Sequence, residues 1–148
     1  MDALSVVEKE TTQYIVVKIQ NEQYGLNIGY IDNIVRMQKI TRVPKTKEYF
    51  KGIINLRGEI VPVMSIRLRM GRDDDVITND SRIIILKIED EGLLGIIVDE
   101  VKEVVNLSSD EIEPSGGKDS FINGVGKNGD ELISLLEVSA IIENPEGN

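Results

Sequence analysis

The sequence contains no cysteine and no histidine. The first absence excludes disulfides, thiolate nucleophiles and cysteine metal sites. The second removes the side chain that titrates nearest neutral pH and the commonest nitrogen ligand for metals. Any catalytic reading must then rest on carboxylates, lysines, tyrosines or hydroxyls, so no enzyme activity, metal or cofactor is expected. Aromatic residues are few and scattered, four Tyr and two Phe, which is too little for a base-stacking platform on single-stranded nucleic acid. Long apolar runs are missing too: residues 83–86 and 93–98 fall far short of the roughly 20 that a membrane-spanning helix needs. The N-terminus lacks a basic segment followed by an apolar one. The expected location is the cytoplasm, with no insertion into a membrane.

What is present is a chain of 148 residues, enough for one compact domain, or two very small units sharing a core, without covalent staples. Its formal charge of −9 is unevenly spread. Residues 1–71 carry 11 Lys and Arg against 7 Asp and Glu, and residues 72–148 carry 6 against 19, giving +4 and −13. That polarity steers partners toward one side. Nucleic acid is not an expected partner, because the second half would repel a phosphate backbone.

Residues 13–28 read as a hairpin, since β-branched and aromatic residues dominate two runs around a polar turn at 20–23. Ile28, Ile31, Ile34 and Val35 recur at spacings of three and four, which fits a short helical turn or a bent strand. Residues 41–50 read as a loop around Pro44, followed by strands at 52–56 and 60–64 on either side of Arg57-Gly58-Glu59. Pro62 cannot donate to a ladder, so its strand should lie at an edge, or Pro62 at a bulge. Ser65 is placed to cap a short helix over 66–70 closed by Gly71, and residues 72–81 form a polar connecting loop.

The second half repeats the first. Ile15-Val-Val-Lys-Ile19, Gly25 and Ile31-x-x-Ile34-Val35 are answered by Ile84-Ile-Leu-Lys-Ile88, Gly95 and Val101-x-x-Val104-Val105. Phe50-Lys-Gly52-Ile53 with Ile60-Val-Pro-Val63 is answered by Phe121-Ile-Asn-Gly124-Val125 with Leu132-Ile-Ser-Leu135. Four elements in one order indicate two copies of one small β unit. Each copy offers about five short strands, so a closed or nearly closed barrel is expected from each. Units of about sixty residues bury little alone and should share a core. The first unit is expected over about 13–70 and the second over about 82–136, with a terminal helix over 137–142 and a disordered tail from Pro145 to Asn148.

Four patterns could carry chemistry, and each has a plainer explanation. Gly124-Val-Gly126-Lys-Asn-Gly129 has the spacing of a dinucleotide fingerprint, but Asn128-Gly129 between apolar runs is a hairpin turn and no βαβ unit follows. Gly116-Gly-Lys118-Asp-Ser resembles part of a phosphate loop but lacks its first glycine and has Asp119 in place of the hydroxyl, so it reads as a flexible linker. Asp73-Asp-Asp75 lacks the alternating acids, glycine and distant glutamate of a calcium loop and reads as a solvated, self-repelling segment. Asp99 and Glu100 are adjacent in a strand and should point to opposite faces, which prevents joint acid–base work.

Two surface features remain. Arg57 sits at a hairpin tip before the turn residue Gly58 and presents a rigid planar fork. The matched apolar stripes Ile28, Ile31, Ile34 and Val101, Val104, Val105 are core in most proteins. If they line an incompletely covered seam between the copies, they form a groove for a partner helix.

Glu22-Gln-Tyr24-Gly25, Lys51-Gly-Ile-Ile-Asn-Leu-Arg-Gly58, Ile60-Val-Pro-Val63 and Gly95-Ile-Ile-Val-Asp-Glu-Val101 together resemble the successive motifs of the CheW family of chemotaxis coupling proteins. The resemblance runs from about Gln13 to Ile142. It implies an all-β fold with short helices, in which two five-stranded SH3-like barrels pack on a shared hydrophobic core. It also implies a non-enzymatic adaptor with two partners: the cytoplasmic hairpin tip of chemoreceptors, and the regulatory domain of the histidine kinase CheA. A chain of this length without a kinase or receiver segment is similar to the free-standing adaptor. Carried over by position, the receptor groove would include Ile28, Ile31, Ile34 and Val101, with Gly52 and Arg57 at its rim; the resemblance places no kinase-binding residues. Ser65 stands where the family commonly has aspartate, and Asn33 where an acid is frequent. Other classes left open by the residues are an acidic β-barrel interaction module outside chemotaxis, a nucleic-acid-binding barrel and a small carboxylate enzyme.

Overall fold

A computed structural model describes residues 10–116 and 120–142. The expected tail at 145–148 and positions 117–119 of the expected linker lie outside the described residues. The chain begins with β1 (Thr11–Ile19) and β2 (Glu22–Asn27), paired as a hairpin with Val17 opposite Tyr24. A 3-10 turn (Ile28–Tyr30) leads into β3 (Ile31–Arg36), so the ambiguous apolar stretch is a helical turn and then a strand. Next come β4 (Phe50–Leu56), β5 (Glu59–Ser65) and the one-turn helix α1 (Ile66–Arg69). The second half supplies β6 (Arg82–Ile88), β7 (Gly92–Val98), β8 (Glu100–Ser108), β9 (Ile112–Pro114), β10 (Ile122–Asn128), β11 (Glu131–Leu136) and α2 (Val138–Ile142). Ser65 caps α1 as expected, its Oγ accepting the Leu68 N–H at 3.1 Å.

One sheet runs β8-β1-β2-β11-β10-β9 and the other β3-β6-β7-β5-β4. By the internal repeat, β1 and β2 correspond to β6 and β7, β3 to β8, and β4 and β5 to β10 and β11. The two orders then match position by position, with the leading hairpins exchanged. The hairpin β1–β2 completes the sheet of the second half, and β6–β7 completes that of the first. The boundaries 13–70 and 82–136 therefore describe the repeat in sequence, while the hydrogen-bonded sheets cross them. The junctions are parallel in both sheets, β2 with β11 through Gly25 and Leu135, and β5 with β7 through Val63 and Gly95.

The exchange explains why β1 and β6 each carry an unbroken apolar run, at 14–17 and 83–86. Successive side chains on a strand point to opposite faces. Ile15, Val17 and Ile19 join Ile84 and Leu86 in a central cluster shared by the sheets. Val16 turns the other way into a cluster with Val105, Leu107, Ile133 and Leu135. Ile83 and Ile85 turn into a third, with Ile54, Val61, Val63 and Ile97. Each sheet curls over its own cluster, and the central cluster lies between them.

Closed or nearly closed barrels were expected, and in hydrogen bonding both sheets stay open, with β3 and β4 as the edges of one and β8 and β9 of the other. The reason at β4 is local. The Ile53 N–H and C=O are both spent on Thr41, at 2.9 and 2.8 Å, so a loop residue occupies that edge. The same contact corrects the expectation for Pro62, which lies on the interior strand β5 and at no register shift. Pro62 faces Ile53, whose backbone groups point away, and the β5–β7 ladder starts only at Val63. Neither neighbour needs the missing N–H.

Candidate functional site

The apolar stripes depend on bulges. Residues three apart on a regular strand face opposite ways, yet a register shift between Ile31 and Asn33 inserts one residue into β3. Ile31 then pairs with Leu86 and Ile34 with Ile84, both members of the central cluster, and both stripe residues pack against it half-buried. A matching shift in the β1–β8 ladder places Val101 opposite Val17 and Val104 opposite Ile15. Val101 is half-buried on the central cluster, whereas Val104 is 49% exposed. Both strands are sheet edges, so the stripes lie at the margins of the shared core. Val35 and Val105, the remaining members of the two motifs, turn into the separate clusters of their own sheets.

Ile28 is 38% exposed, on a turn fixed by the Asn27 Oδ1, which accepts the Gly29 N–H at 2.8 Å. Val104 belongs to the apolar stripe read from the sequence, although the groove residues carried over from the resemblance take only Val101 from its strand.

Gly52 and Arg57 are placed differently. Gly52 is buried with φ 141°, and a Cβ there would lie 2.1 Å from the Thr41 carbonyl oxygen. It shapes the backbone and offers no side-chain contact. Arg57 is exposed at the β4–β5 tip, where both central residues have positive φ, 54° for Arg57 and 85° for Gly58. That is the twist-matched hairpin geometry, braced by the Asn55 Oδ1, which accepts the Gly58 N–H at 2.9 Å. Sheet order puts this hairpin at the edge opposite β3, although Leu56 and Val35 pack on one cluster across the curl.

The sequence reading missed a set of arginines around α1, of which Arg67 and Arg69 are buried. Arg67 is 8% exposed and pairs with Asp99 at 2.6 Å, while its Nη1 donates to the Asp74 carbonyl at 3.0 Å. Asp99 also accepts the Gln20 N–H at 2.7 Å, so it is a structural acceptor. Its neighbour Glu100 pairs across the ladder with Lys18. Arg69 lies over the rings of Tyr49 and Phe121, 4.9 Å from each centroid, and donates to the Ile141 and Ala140 carbonyls. Its charge thus meets the carbonyl end of α2. Arg72 donates to Gln20, Glu22 and Tyr24 of the exchanged hairpin. The only advance sign was three arginines around a helix too short to have a solvent face for all of them.

The loop at 73–75 is also less solvated than expected. Asp74 pairs with Lys51 at 2.6 Å and is held below the usual carboxylate range mainly by that contact. Asp75 is half-buried, and burial pushes its carboxyl up. The glycine pattern at 124–129 falls in β10 and its hairpin turn, with Asn128 opposite Glu131.

Tyr24 gives a pH-dependent expectation. Burial, reinforced by its hydrogen bond to Glu22, pushes its hydroxyl from 10.0 up to about 12. Between those values the unfolded chain loses the proton and the folded chain keeps it. Stability is therefore present below pH 10 and lost as pH rises toward the folded value. Tyr24→Phe should flatten the stability curve in that window relative to the parent, measured by urea unfolding. Parallel curves would count against the buried hydroxyl.

Sheets that share a core through exchanged hairpins, with apolar edge strands at its margins and arginines committed to internal contacts, define a protein-interaction module. Among the described residues, no helix is long and apolar enough to cross a membrane. Residues 13–146 match the model of the CheW-like domain, and the chain belongs to that family. It is 32% identical over 140 residues to the chemotaxis protein CheW of Bacillus subtilis, covering 91% of this chain and 89% of that one. The chemotaxis protein CheW of Helicobacter pylori is 30% identical over 139 residues, covering 91% and 84%. The crystal structure of the scaffolding protein TtCheW from Thermoanaerobacter tengcongensis superposes with a TM-score of 0.86 at 34% identity, covering 94% of this chain and 97% of that one.

Proposed function

We propose that this chain is a non-enzymatic chemotaxis coupling adaptor that bridges chemoreceptor cytoplasmic tips and the histidine kinase CheA. The observation that carries the reading is the pair of repeat-related apolar edges, Ile31 and Ile34 on β3 and Val101 and Val104 on β8, incompletely covered at the margins of the shared core. Family membership supplies the chemotaxis context. In this reading a helical hairpin of the receptor lays apolar side chains against Ile28, Ile31, Ile34 and Val101. Gly52 sets the backbone at the rim, and Arg57 makes a charge-assisted contact there. A separate face pairs with the regulatory domain of the kinase. The adaptor works by holding the two in a fixed relation, so that a small receptor shift changes the kinase equilibrium with no reaction on the adaptor.

The test is calorimetric titration with a receptor cytoplasmic fragment, paired with melting curves. Ile31→Asp or Val101→Asp should weaken receptor binding by about 2 kcal/mol or more. Both residues also touch the core, so Ile28→Asp, at a 38% exposed position outside the core clusters, separates binding from folding. Undiminished affinity in a folded Ile28→Asp and a folded Ile31→Asp would remove the groove from the reading.

A further inference from the structure

The loop from β3 to β4 carries a second surface that the receptor groove does not use. Two adjoining depressions, of about 350 and 550 Å³, share Lys45, Thr46, Lys47 and Phe50. The first is walled by Arg42, Lys45, Lys47 and Lys51; its acidic members are Glu48 and Asp74, and Asp74 is already paired with Lys51. The second has an apolar floor of Tyr49, Phe50, Met64 and Ile142. Behind Tyr49 stands the Arg69 guanidinium, which fixes the ring.

The basic wall is held in place by the backbone. Val43-Pro44-Lys45-Thr46 is a turn in which Pro44 precedes a residue of positive φ, 63° at Lys45, a position that favours glycine. The Thr46 hydroxyl closes it by donating to the Val43 carbonyl at 3.1 Å. The turn sets the Lys45 Cα at a defined point on the rim, from which its exposed side chain reaches into solvent. Arg42, Lys45 and Lys51 give the rim a local excess of positive charge on a chain of net charge −9. An acidic partner repelled by the chain as a whole is drawn to such a patch.

We propose that this rim and floor form a docking surface for an acidic, amphipathic segment of a partner protein, its apolar side chains on Tyr49, Phe50 and Ile142 and its carboxylates facing Arg42 and Lys45. The inference goes beyond the coupling role and does not depend on the β3 and β8 edges.

The test uses the full isotope-labelled chain and a short peptide with Leu and Phe at helical spacing and Glu elsewhere. Its amide shifts should fall at residues 42–51 and at Ile142, and binding should weaken as salt rises. Lys45→Gly removes the charge while relieving the backbone, so its melting temperature should equal or exceed the parent's while binding weakens roughly fivefold. Ile142→Ser should weaken binding similarly. The proposal is overturned by equal binding of an all-Glu peptide, or by tighter binding to anionic phospholipid vesicles or a DNA oligonucleotide. Self-association through the loop would overturn it too. Shifts confined to residues 28–34 and 101–104 would overturn it while leaving the receptor groove standing.

Discussion

Gly52→Ala is expected to lose about 3 kcal/mol or more of folding stability, read as a shift in the urea midpoint. Two costs combine. The backbone at Gly52 has φ 141°, a region that side chains rarely enter. A Cβ there would also stand 2.1 Å from the Thr41 carbonyl oxygen and 2.9 Å from the Ile40 side chain. Relief requires Thr41 to move, and Thr41 makes both hydrogen bonds to Ile53 that occupy the β4 edge. The register shift between Phe50 and Gly52 would be disturbed with it. Under the proposed function receptor binding in such a variant would fall with the rim, so binding must be normalised to the folded fraction. A Gly52→Ala protein as stable as the parent would contradict the close approach of Thr41.

Removing Arg67 should have a comparable effect. Arg67→Met keeps the aliphatic bulk but leaves Asp99, whose side chain is 18% exposed, without its guanidinium. Breaking a buried pair by deleting one partner costs about 3–5 kcal/mol, mostly through the charge left behind. The loss should spread, because Asp99 also holds the Gln20 N–H of the exchanged hairpin and Arg67 also holds the Asp74 carbonyl. Adding Asp99→Asn removes the orphaned charge, and the double variant should recover a substantial part of the deficit in a double-mutant cycle. Arg67→Met within about 1 kcal/mol of the parent would show the pair to be screened and to contribute little to joining the halves.

Those two sites mark where sequence reasoning reached and where it stopped. Gly52 lay in a legible motif, but its constraint comes from Thr41, whose approach no local pattern announces. Arg67 lay in a correctly placed helix, but a charged residue on one turn of helix reads as solvated until the hairpin and Asp99 are folded around it. The stripe at Ile31 and Ile34 was legible as apolar spacing. Its face was undecided, since a spacing of three is helical in one geometry and splits across a strand in another, and only the bulge in β3 made both residues face the shared core.

The sequence by itself determined the strand-rich class, the duplication, the hairpin at 57–58 and, one residue short of its turn at 129–130, the hairpin read at 128–129, and the lack of cysteine and histidine chemistry. Each of these follows from residue inventory or from short-range periodicity, which is set within a few residues of chain. Tertiary structure alone decided that the two repeats trade their leading hairpins, that Thr41 occupies the β4 edge at Ile53, and that Arg67 and Arg69 turn inward. Those outcomes depend on pairings between residues many tens of positions apart. Two equivalent hairpins can satisfy the same edges, and only the burial of β1 and β6 on both faces selects the exchanged arrangement.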